Sequence, residues 1–435
     1  MIPWPKRTID TLMRSQLKNR SSHLRLLSAW LVVGGFAGVI VAGSLPTGRP
    51  EDAKFSSQRL SAIHETIQRH IDAGDITGAV TMVASRGRIV HFEAHGLMDL
   101  ASKRPMAKDS MFRIMSMTKP VTAVAVMMME QQGRLHVTDP VSKYIPEFKQ
   151  MKVSTAPREA TNGLASRPPA ADGPSVPANR EITIADLLTH TSGMSGFVPQ
   201  REPDDTLATL MPRYAGLQLL FQPGTEWSYS AIAGPDVLAR IVEIVSGQNY
   251  EQYLRARLFD PLGMKDTSHF PTDAQRPRVV TLYQKTPNGF VPTENPDSFS
   301  SKTYFSGSAG LVTTAEDYMQ FAQMLCNGGE LNGKRFLKSE TVRRIGTNYV
   351  GDMFNGKINF PKTGFGFGYL NAIVEDHQAA GWALPDGSFG WFGAYGSQVW
   401  INPKEQLVTL LMIQNLVYPV QRDFEAAVVQ ARQPK

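Results

Sequence analysis

The chain has 435 residues, of which 42% are hydrophobic and 19% charged, and a formal net charge of +6. This length can bury a large core and is long for one simple domain, so two lobes or one composite domain are expected. Residues 1–25 carry six Lys or Arg side chains against Asp10 alone, and the rest of the chain is nearly neutral. Such a distribution argues against a nucleic-acid-binding protein.

The basic leader, residues 1–25, is followed by twenty uncharged residues, 26–45. Twenty apolar residues are enough to span a bilayer, and the small residues Ala42, Gly43 and Ser44 resemble a signal-peptidase site. The pattern therefore predicts a membrane anchor or a cleaved signal, with a cytoplasmic leader. In both cases the remainder is exported to the periplasm or the outer face of the inner membrane. Cys326 is the only cysteine, so neither an internal disulfide nor a cysteine-based metal site is expected.

The first part of the exported region contains a helix and a hairpin. Residues 46–56 are predicted to be a polar linker, and a helix is expected over about 57–73. Two alternating segments, 80–85 and 89–94, flank Arg86-Gly87 and predict a strand hairpin. An apolar helix follows Ser116 and ends near Gly133, which is a typical C-terminal cap.

The middle and the end of the chain differ in character. Residues 154–179 are rich in Pro, Ala, Gly and Ser, which predicts a mobile insertion that is either disordered or a lid. Helices and turns follow from Glu181 to about Lys265. A second hairpin is expected over 398–402 and 407–414, and a closing helix over 423–432. Strands at both ends with helices between them predict an α+β fold: an antiparallel sheet built from both chain ends, flanked by helices, with an inserted, mostly helical lobe.

The stretch FRIMSMTKPVTAVAVMMME places Ser116 three residues before Lys119 at the start of an apolar helix. Residues at i and i+3 share a helix face, and a helix N-terminus favours developing negative charge. An amine that the apolar helix partly desolvates can lose its charge and accept the serine proton. The motif is weak alone, because Ser15 and Lys18 in the leader repeat it.

Other segments supply the context. In order, FRIMSMTKPVTAVAVMMMEQQGRL, REITIADLLTHTSGM, LFQPGTEWSYS, LFDPLGMKDT, GSAGLVTTAEDYMQFAQML and WFGAYGSQVWINPKEQLVTLLMIQ resemble the serine β-lactamase and penicillin-binding-protein superfamily. The chain is most similar to the class C β-lactamase-related group that includes family VIII carboxylesterases. The resemblance covers about residues 57–430 and marks 57–435 as the hydrolase domain. It implies an antiparallel sheet flanked by helices, an all-helical lobe, and an active site between them.

The resemblance implies roles for individual residues. Ser116 matches the acylated nucleophile and Lys119 its proton partner. Tyr229 matches the tyrosine of the Tyr-x-Asn element, a general base or proton relay, and a phenol beside a lysine is expected to shift towards its anion. Ala231 stands where the family has Asn, so an amide that would hold the lysine and an acylamino side chain is missing.

Two segments compete for the family's Lys-Thr-Gly element. The literal match is Lys362-Thr363-Gly364, some forty residues before the last hairpin, and we interpret it as a loop leading into a strand. Trp391-Phe392-Gly393 lies directly before that hairpin and resembles the Trp-x-Gly variant of the esterase group, so it is the predicted substrate-binding strand. Ala394 would then join Ser116 as a backbone donor of an oxyanion hole. Because Trp391 and Phe392 offer no cation, neutral esters are favoured over carboxylate-bearing substrates.

The predicted function is a serine hydrolase, most simply a carboxylesterase acting on a small-molecule ester or amide. A β-lactamase or peptidase of cell-wall fragments is one alternative, and a catalytically retired binding scaffold is another. His190 is interpreted as part of a structural turn and not as a triad base. The histidines show no HExxH motif or close ligand cluster, so neither a metal nor another cofactor is predicted. Oligomeric state is left open.

Overall fold

The computed structural model describes residues 44–158, 169, 172–196, 201–293, 302–415 and 417–433. The basic leader and all but the last two residues of the predicted 26–45 segment lie outside this part. So does most of the interior of 154–179. Over the described ranges, no helix combines the length and the apolar character needed to cross a bilayer.

Eleven α-helices are numbered in chain order for the described residues. They are α1 (Ser57–Asp72), α2 (Thr118–Gln131), α3 (Ile184–Leu188), α4 (Leu207–Ala215), α5 (Ala233–Ser246), α6 (Tyr250–Leu254), α7 (Asp260–Leu262), α8 (Ala315–Cys326), α9 (Ser339–Ile345), α10 (His377–Ala380) and α11 (Tyr418–Gln430). A π-helical stretch, Arg255–Phe259, joins α6 to α7.

The strands are numbered in the same way. They are β1 (Gly78–Ser85), β2 (Arg88–Asp99), β3 (Arg104–Pro105), β4 (Met111–Arg113), β5 (Lys152–Ser154), β6 (Ser175–Pro177), β7 (Tyr283–Thr286), β8 (Gly289–Pro292), β9 (Val312–Thr314), β10 (Glu330–Leu331), β11 (Lys334–Arg335), β12 (Phe365–Phe367), β13 (Ala372–Val374), β14 (Phe389–Phe392), β15 (Gly396–Asn402) and β16 (Leu407–Gln414).

One eight-stranded sheet joins the two ends of the chain, as the sequence predicted. Its strand order is β12-β13-β14-β15-β16-β1-β2-β3. Every neighbouring pair is antiparallel, and the two chain ends meet where β1 pairs with β16, with Val80 opposite Met412. Helices cover both faces, which explains why β1, β15 and β16 are buried along their whole length. The predicted α+β class is confirmed.

The two faces of the sheet bury different clusters because side chains alternate along a strand. Ala79 and Val83 of β1 pack in one cluster with α1 and α11. Val80 and Met82 pack in the other cluster, which contains α2, α5 and α8. Helix α2 is buried at 12 of its 14 positions, so it runs through the interior between the sheet side and the helical segments.

Two predicted connecting segments differ from the expectation where they are described. In residues 46–56, Ala53 and Phe55 are buried, and Ser56 N–H donates to the Ala431 carbonyl, so this stretch packs on the domain and is not a free linker. Burial of the Phe55 ring accounts for the difference. At the two ends of 154–179, β5 and β6 pair with each other, with Val153 opposite Val176.

Candidate active site

Ser116 and Lys119 meet at the start of α2, as the i, i+3 spacing predicts. Ser116 belongs to a short 3-10 turn, Met115–Met117, directly before the helix. Lys119 Nζ donates to Ser116 Oγ at 3.0 Å and to the Ser308 carbonyl at 3.0 Å. Ser116 remains partly exposed, so its hydroxyl can be reached from solvent.

Burial controls the charge of Lys119. Its side chain is 0% exposed, and desolvation lowers the pKa of the amine to about 7. The carboxylate of Asp236 acts in the opposite direction but has the smaller effect. A substantial uncharged fraction is therefore present near pH 7, and uncharged amine is what proton acceptance from Ser116 needs.

The backbone around Ser116 is strained and tightly packed. Met115 has φ +47°, a left-handed conformation that residues with a Cβ rarely adopt. Gly393, at the end of β14, approaches the same turn so closely that a Cβ there would lie 2.3 Å from the Ile114 carbonyl oxygen. Only glycine fits this approach, and it brings the end of β14 next to the Ser116 turn.

Tyr229 lies against the same lysine. Its ring centroid is 4.9 Å from Lys119 Nζ, and its Oη accepts a hydrogen bond from Trp391 Nε1 at 3.2 Å. Burial raises the pKa of the phenol to about 12, although hydrogen bonds with Ser116 and Trp391 favour the anion. The expected shift towards the anion is thus wrong, because desolvation outweighs these contacts. Tyr229 is protonated at neutral pH and is suited to relay or donate a proton.

Trp391 and Phe392 differ in what they offer to a substrate. Trp391 is 1% exposed and packs within an aromatic cluster against Tyr229, Phe360 and Phe367. The apolar surface of the Trp391 ring therefore packs against the protein interior, contrary to the expectation that it would face a substrate. Phe392 is partly exposed. The tryptophan instead holds the phenol of Tyr229 in place through its indole N–H.

The literal Lys-Thr-Gly match lies elsewhere, as interpreted from the sequence. Lys362 and Thr363 are exposed and precede β12, the edge strand of the sheet, which is two strands away from β14. Thr363 Oγ1 donates to the Ala379 carbonyl. Ala394 follows Gly393 in an exposed turn, and its role as an oxyanion donor stays a prediction.

His190 is not placed as a base. It is buried with φ +58°, and its ring lies edge-on to Tyr229, 4.8 Å between centroids. Within the described part of the chain, neither ring nitrogen has a hydrogen-bond partner, and burial together with Lys119 holds the pKa of the imidazole well below its usual value. The carbonyl of His190 accepts from Ser228 N–H, which fixes the segment that carries Tyr229.

Sequence reasoning missed a buried carboxylate behind the lysine. Asp236, on α5, accepts hydrogen bonds from Tyr214, Tyr304 and Ser306. Ser306 Oγ also lies 2.7 Å from Ser308 Oγ, and the carbonyl of Ser308 holds Lys119. Burial raises the pKa of Asp236, and these hydrogen bonds oppose it. No local pattern could reveal this network, because its members come from three distant segments.

Comparisons with known proteins identify the family of this chain. The chain matches the family model described as Beta-lactamase over residues 63–433. It is 31% identical over 415 residues to Esterase EstB of Burkholderia gladioli, covering 87% of this chain and 95% of that protein. It is 32% identical over 377 residues to Protein Rv1367c of Mycobacterium tuberculosis, covering 80% and 88%. Among solved structures, EstCE1, described as a hydrolase with promiscuous acyltransferase activity, superposes with a TM-score of 0.72 at 26% identity, covering 86% of this chain and 99% of that one.

The sheet, the helical segments and the Ser116–Lys119 pair define a serine hydrolase of the β-lactamase and penicillin-binding-protein type. The chain belongs to the β-lactamase family and within it is like the family VIII esterases.

Proposed function

We propose that the protein is a carboxylesterase that hydrolyses small neutral esters through an acyl-enzyme on Ser116. The observation that carries the proposal is Lys119, a buried amine 3.0 Å from Ser116 Oγ whose pKa is lowered to about 7. Such an amine can take the serine proton at neutral pH. The names of the relatives EstB, an esterase, and EstCE1, a hydrolase, support esters as the substrate class.

In the proposed chemistry, a proton leaves Ser116 for Lys119 and returns through Tyr229 to the departing alcohol. Ser116 Oγ attacks the ester carbonyl while its proton passes to Lys119 Nζ. The tetrahedral oxyanion is stabilised by backbone N–H groups, for which Ser116 and Ala394 are the candidates. Collapse breaks the bond to the alcohol, which leaves with a proton supplied through Tyr229, and the phenol recovers its proton from Lys119. Water then attacks the acyl-enzyme by the same series of proton transfers, and the acid is released from Ser116.

The absence of a cation at the Trp391-Phe392-Gly393 strand supports neutral substrates. Binding a carboxylate in a partly desolvated cleft needs a compensating charge or several hydrogen-bond donors. Trp391 supplies neither, because its single indole N–H is engaged by Tyr229 Oη. The preference for neutral esters follows from this missing positive charge.

The test compares hydrolysis of a short neutral nitrophenyl ester with cleavage of a chromogenic cephalosporin by the full chain. Wild type should turn over the ester and cleave little cephalosporin. Ser116→Ala should reduce ester kcat by about a thousandfold or more, as expected when a covalent nucleophile is removed. Ser15→Ala alters the other Ser-x-x-Lys match and is the matched control, with unchanged turnover.

Three results would overturn the proposal. Fast Ser116-dependent cleavage of the cephalosporin with slow ester turnover would favour a β-lactamase or cell-wall peptidase. Ester turnover that Ser116→Ala leaves intact would remove Ser116 from the chemistry, and wild type that turns over neither substrate would favour a retired binding scaffold.

We further propose that the hydrolase is exported. Residues 1–25 are basic and residues 26–45 are uncharged, which supports insertion with the leader on the cytoplasmic side. Cell fractionation with N-terminal sequencing tests this proposal. An N-terminus near Ser44 indicates cleavage, an intact leader in the membrane fraction indicates an anchor, and an intact cytoplasmic protein contradicts export.

A further inference from the structure

A cluster of histidine and carboxylate side chains lies where α1 packs on β2, and it shares no residue with the candidate active site. Its strand members, His91, Glu93 and His95, alternate along β2 and therefore share one face of the sheet. His64 of α1 reaches the same place from 29 positions before Glu93. The sequence-based prediction that the histidines form no close ligand cluster is wrong, because His64 joins the group only through tertiary packing.

Three of these side chains converge at distances that suit a metal ion. His64 Nδ1 is 2.6 Å and His95 Nδ1 is 4.0 Å from Glu93 Oε1. One ligand atom from each residue lies within 4.8 Å of the other two. Around a tetrahedral Zn²⁺ with bonds of about 2.0–2.2 Å, ligand atoms are about 3.3–3.6 Å apart, so shifts of roughly 1 Å would complete the geometry.

Thr81 of β1 orients the imidazole of His95. Thr81 is paired with Glu93 across the two strands, and its Oγ1 lies 2.9 Å from His95 Nε2 and 2.7 Å from His91 Nε2. A hydroxyl has one proton, so it can accept from one ring and donate to the other. If His95 Nε2–H donates, His95 Nδ1 presents a lone pair towards His64 and Glu93, which is the support that metal-binding histidines usually receive.

The burial of His95 adds an independent argument. Its side chain is 0% exposed, and across the described residues its Nδ1 has no hydrogen-bond partner. A buried ring nitrogen without a partner is costly, and a metal ion at this position would satisfy it. The side chains of His64 and Glu93 are 52% and 36% exposed, so an ion can enter from solvent and water can supply a further ligand.

We propose that His64, Glu93 and His95 form a binding site for a divalent transition-metal ion. Two imidazoles and one carboxylate are a donor set that Zn²⁺ accepts, and the negative carboxylate favours a cation. The ion would tie α1 to β2 and stabilise the folded protein, since it binds the assembled site and not the separated segments. This proposal does not depend on the esterase activity.

Other histidine–carboxylate contacts show what sets this cluster apart. His70 has a carboxylate on each ring nitrogen, Asp75 at 2.8 Å and Asp423 at 3.1 Å, so both of its nitrogens are already engaged. His377, the first residue of α10, pairs with Asp386 at 2.8 Å. His377 therefore provides a matched control, a histidine–carboxylate pair outside the three-residue cluster.

The experiment uses the full chain, purified without a histidine tag and freed of metal by a chelator. Zn²⁺ binding is measured by titration calorimetry and by the shift in Tm, and the visible absorption of bound Co²⁺ reports the ligand geometry. Wild type should bind one Zn²⁺ at this site with a rise in Tm. His64→Ala and Glu93→Gln, both at partly exposed positions, should each weaken this binding at least about tenfold, and His377→Ala should not.

Circular dichroism of the metal-free variants checks that they fold, and Glu93→Gln keeps the side-chain size if His64→Ala proves unstable. Equal Zn²⁺ affinity in wild type and both variants would overturn the proposal, as would an equal loss in His377→Ala. Binding without a rise in Tm would contradict the proposed stabilisation of the α1–β2 contact.

Discussion

Two three-residue segments of this chain each end in a glycine next to a strand of the main sheet, but their surroundings differ. Lys362-Thr363-Gly364 precedes the edge strand β12 with exposed Lys and Thr side chains. Trp391-Phe392-Gly393 ends in contact with the Ser116 turn, and its Trp391 side chain holds Tyr229. The comparison teaches that position in the sheet, and not the residue types of a short motif, decides which segment lies beside Ser116.

Both glycines are required sterically, but a substitution should affect different properties. A Cβ at Gly393 would meet the Ile114 carbonyl oxygen at 2.3 Å, and one at Gly364 would meet the Asp376 carbonyl oxygen at 2.3 Å. Gly393→Ala should therefore displace the end of β14 from the Ser116 turn and lower kcat/KM by about a hundredfold, the cost of a displacement near 1 Å. Gly364→Ala should lower Tm.

Steady-state kinetics corrected for the folded fraction, together with thermal unfolding, checks this pair. The comparison fails if Gly364→Ala reduces the kcat/KM of folded protein as much as Gly393→Ala does.

Trp391→Phe should have the next largest effect. The ring remains apolar, but Tyr229 Oη loses the indole donor that lies at 3.2 Å. A hydrogen bond of this kind contributes about 0.5–1.5 kcal/mol, so we expect kcat to fall by up to about tenfold. Thr363→Ala likewise removes a side-chain hydrogen bond, from the other segment, and should leave kcat unaltered. An unchanged kcat in Trp391→Phe would show that the indole does not position Tyr229.

The pH dependence of ester kcat/KM should report on the buried Lys119 and not on the exposed Lys362. Burial lowers the pKa of Lys119 to about 7, so the reactive uncharged amine dominates above that pH and is lost below it. Ester kcat/KM should accordingly fall as pH decreases through about 7. Asp236→Asn removes a charge that raises the pKa of Lys119, so this limb should move to lower pH.

Lys362→Ala should leave the limb in place, because Lys362 is an exposed residue at the edge of the sheet. An acid limb that shifts with Lys362→Ala, or that stays in place with Asp236→Asn, would contradict the assignment to Lys119.

Lys362→Ala should also have the smallest effect on the reaction itself. With its side chain exposed before β12, its removal is expected to change kcat/KM by less than about twofold, as for most surface substitutions. Assays on a neutral ester and on an ester of a dicarboxylic acid test this expectation. A selective loss on the negatively charged ester would show that Lys362 binds carboxylates after all.

Sequence patterns predicted what depends on local spacing. The i, i+3 relation of Ser116 and Lys119 and the alternation of the terminal hairpins follow from helix and strand periodicity. The charge state of Tyr229 could not be predicted from the sequence, because its raised pKa results from burial that no motif encodes. Trp391 was assigned to the right strand but to the wrong environment, because side-chain burial depends on what packs against the strand.

The Asp236 network and the His64 cluster could not be predicted, because their members are distant in the sequence. Asp236 reaches the lysine through Ser306 and Ser308, about seventy positions further along the chain. The alternation of His91, Glu93 and His95 was visible in the sequence, but His64 joins them only because α1 packs on β2 in one particular register. Long-range packing therefore fixes both networks.

The most direct test of the central claim is mass spectrometry of the enzyme quenched during turnover of a slowly deacylating neutral ester. We predict a mass increase of one acyl group, which peptide mapping locates on Ser116 and which is absent from Ser116→Ala. An acyl group on another residue, or ester turnover without any acylated protein under conditions where deacylation limits the rate, would contradict the account.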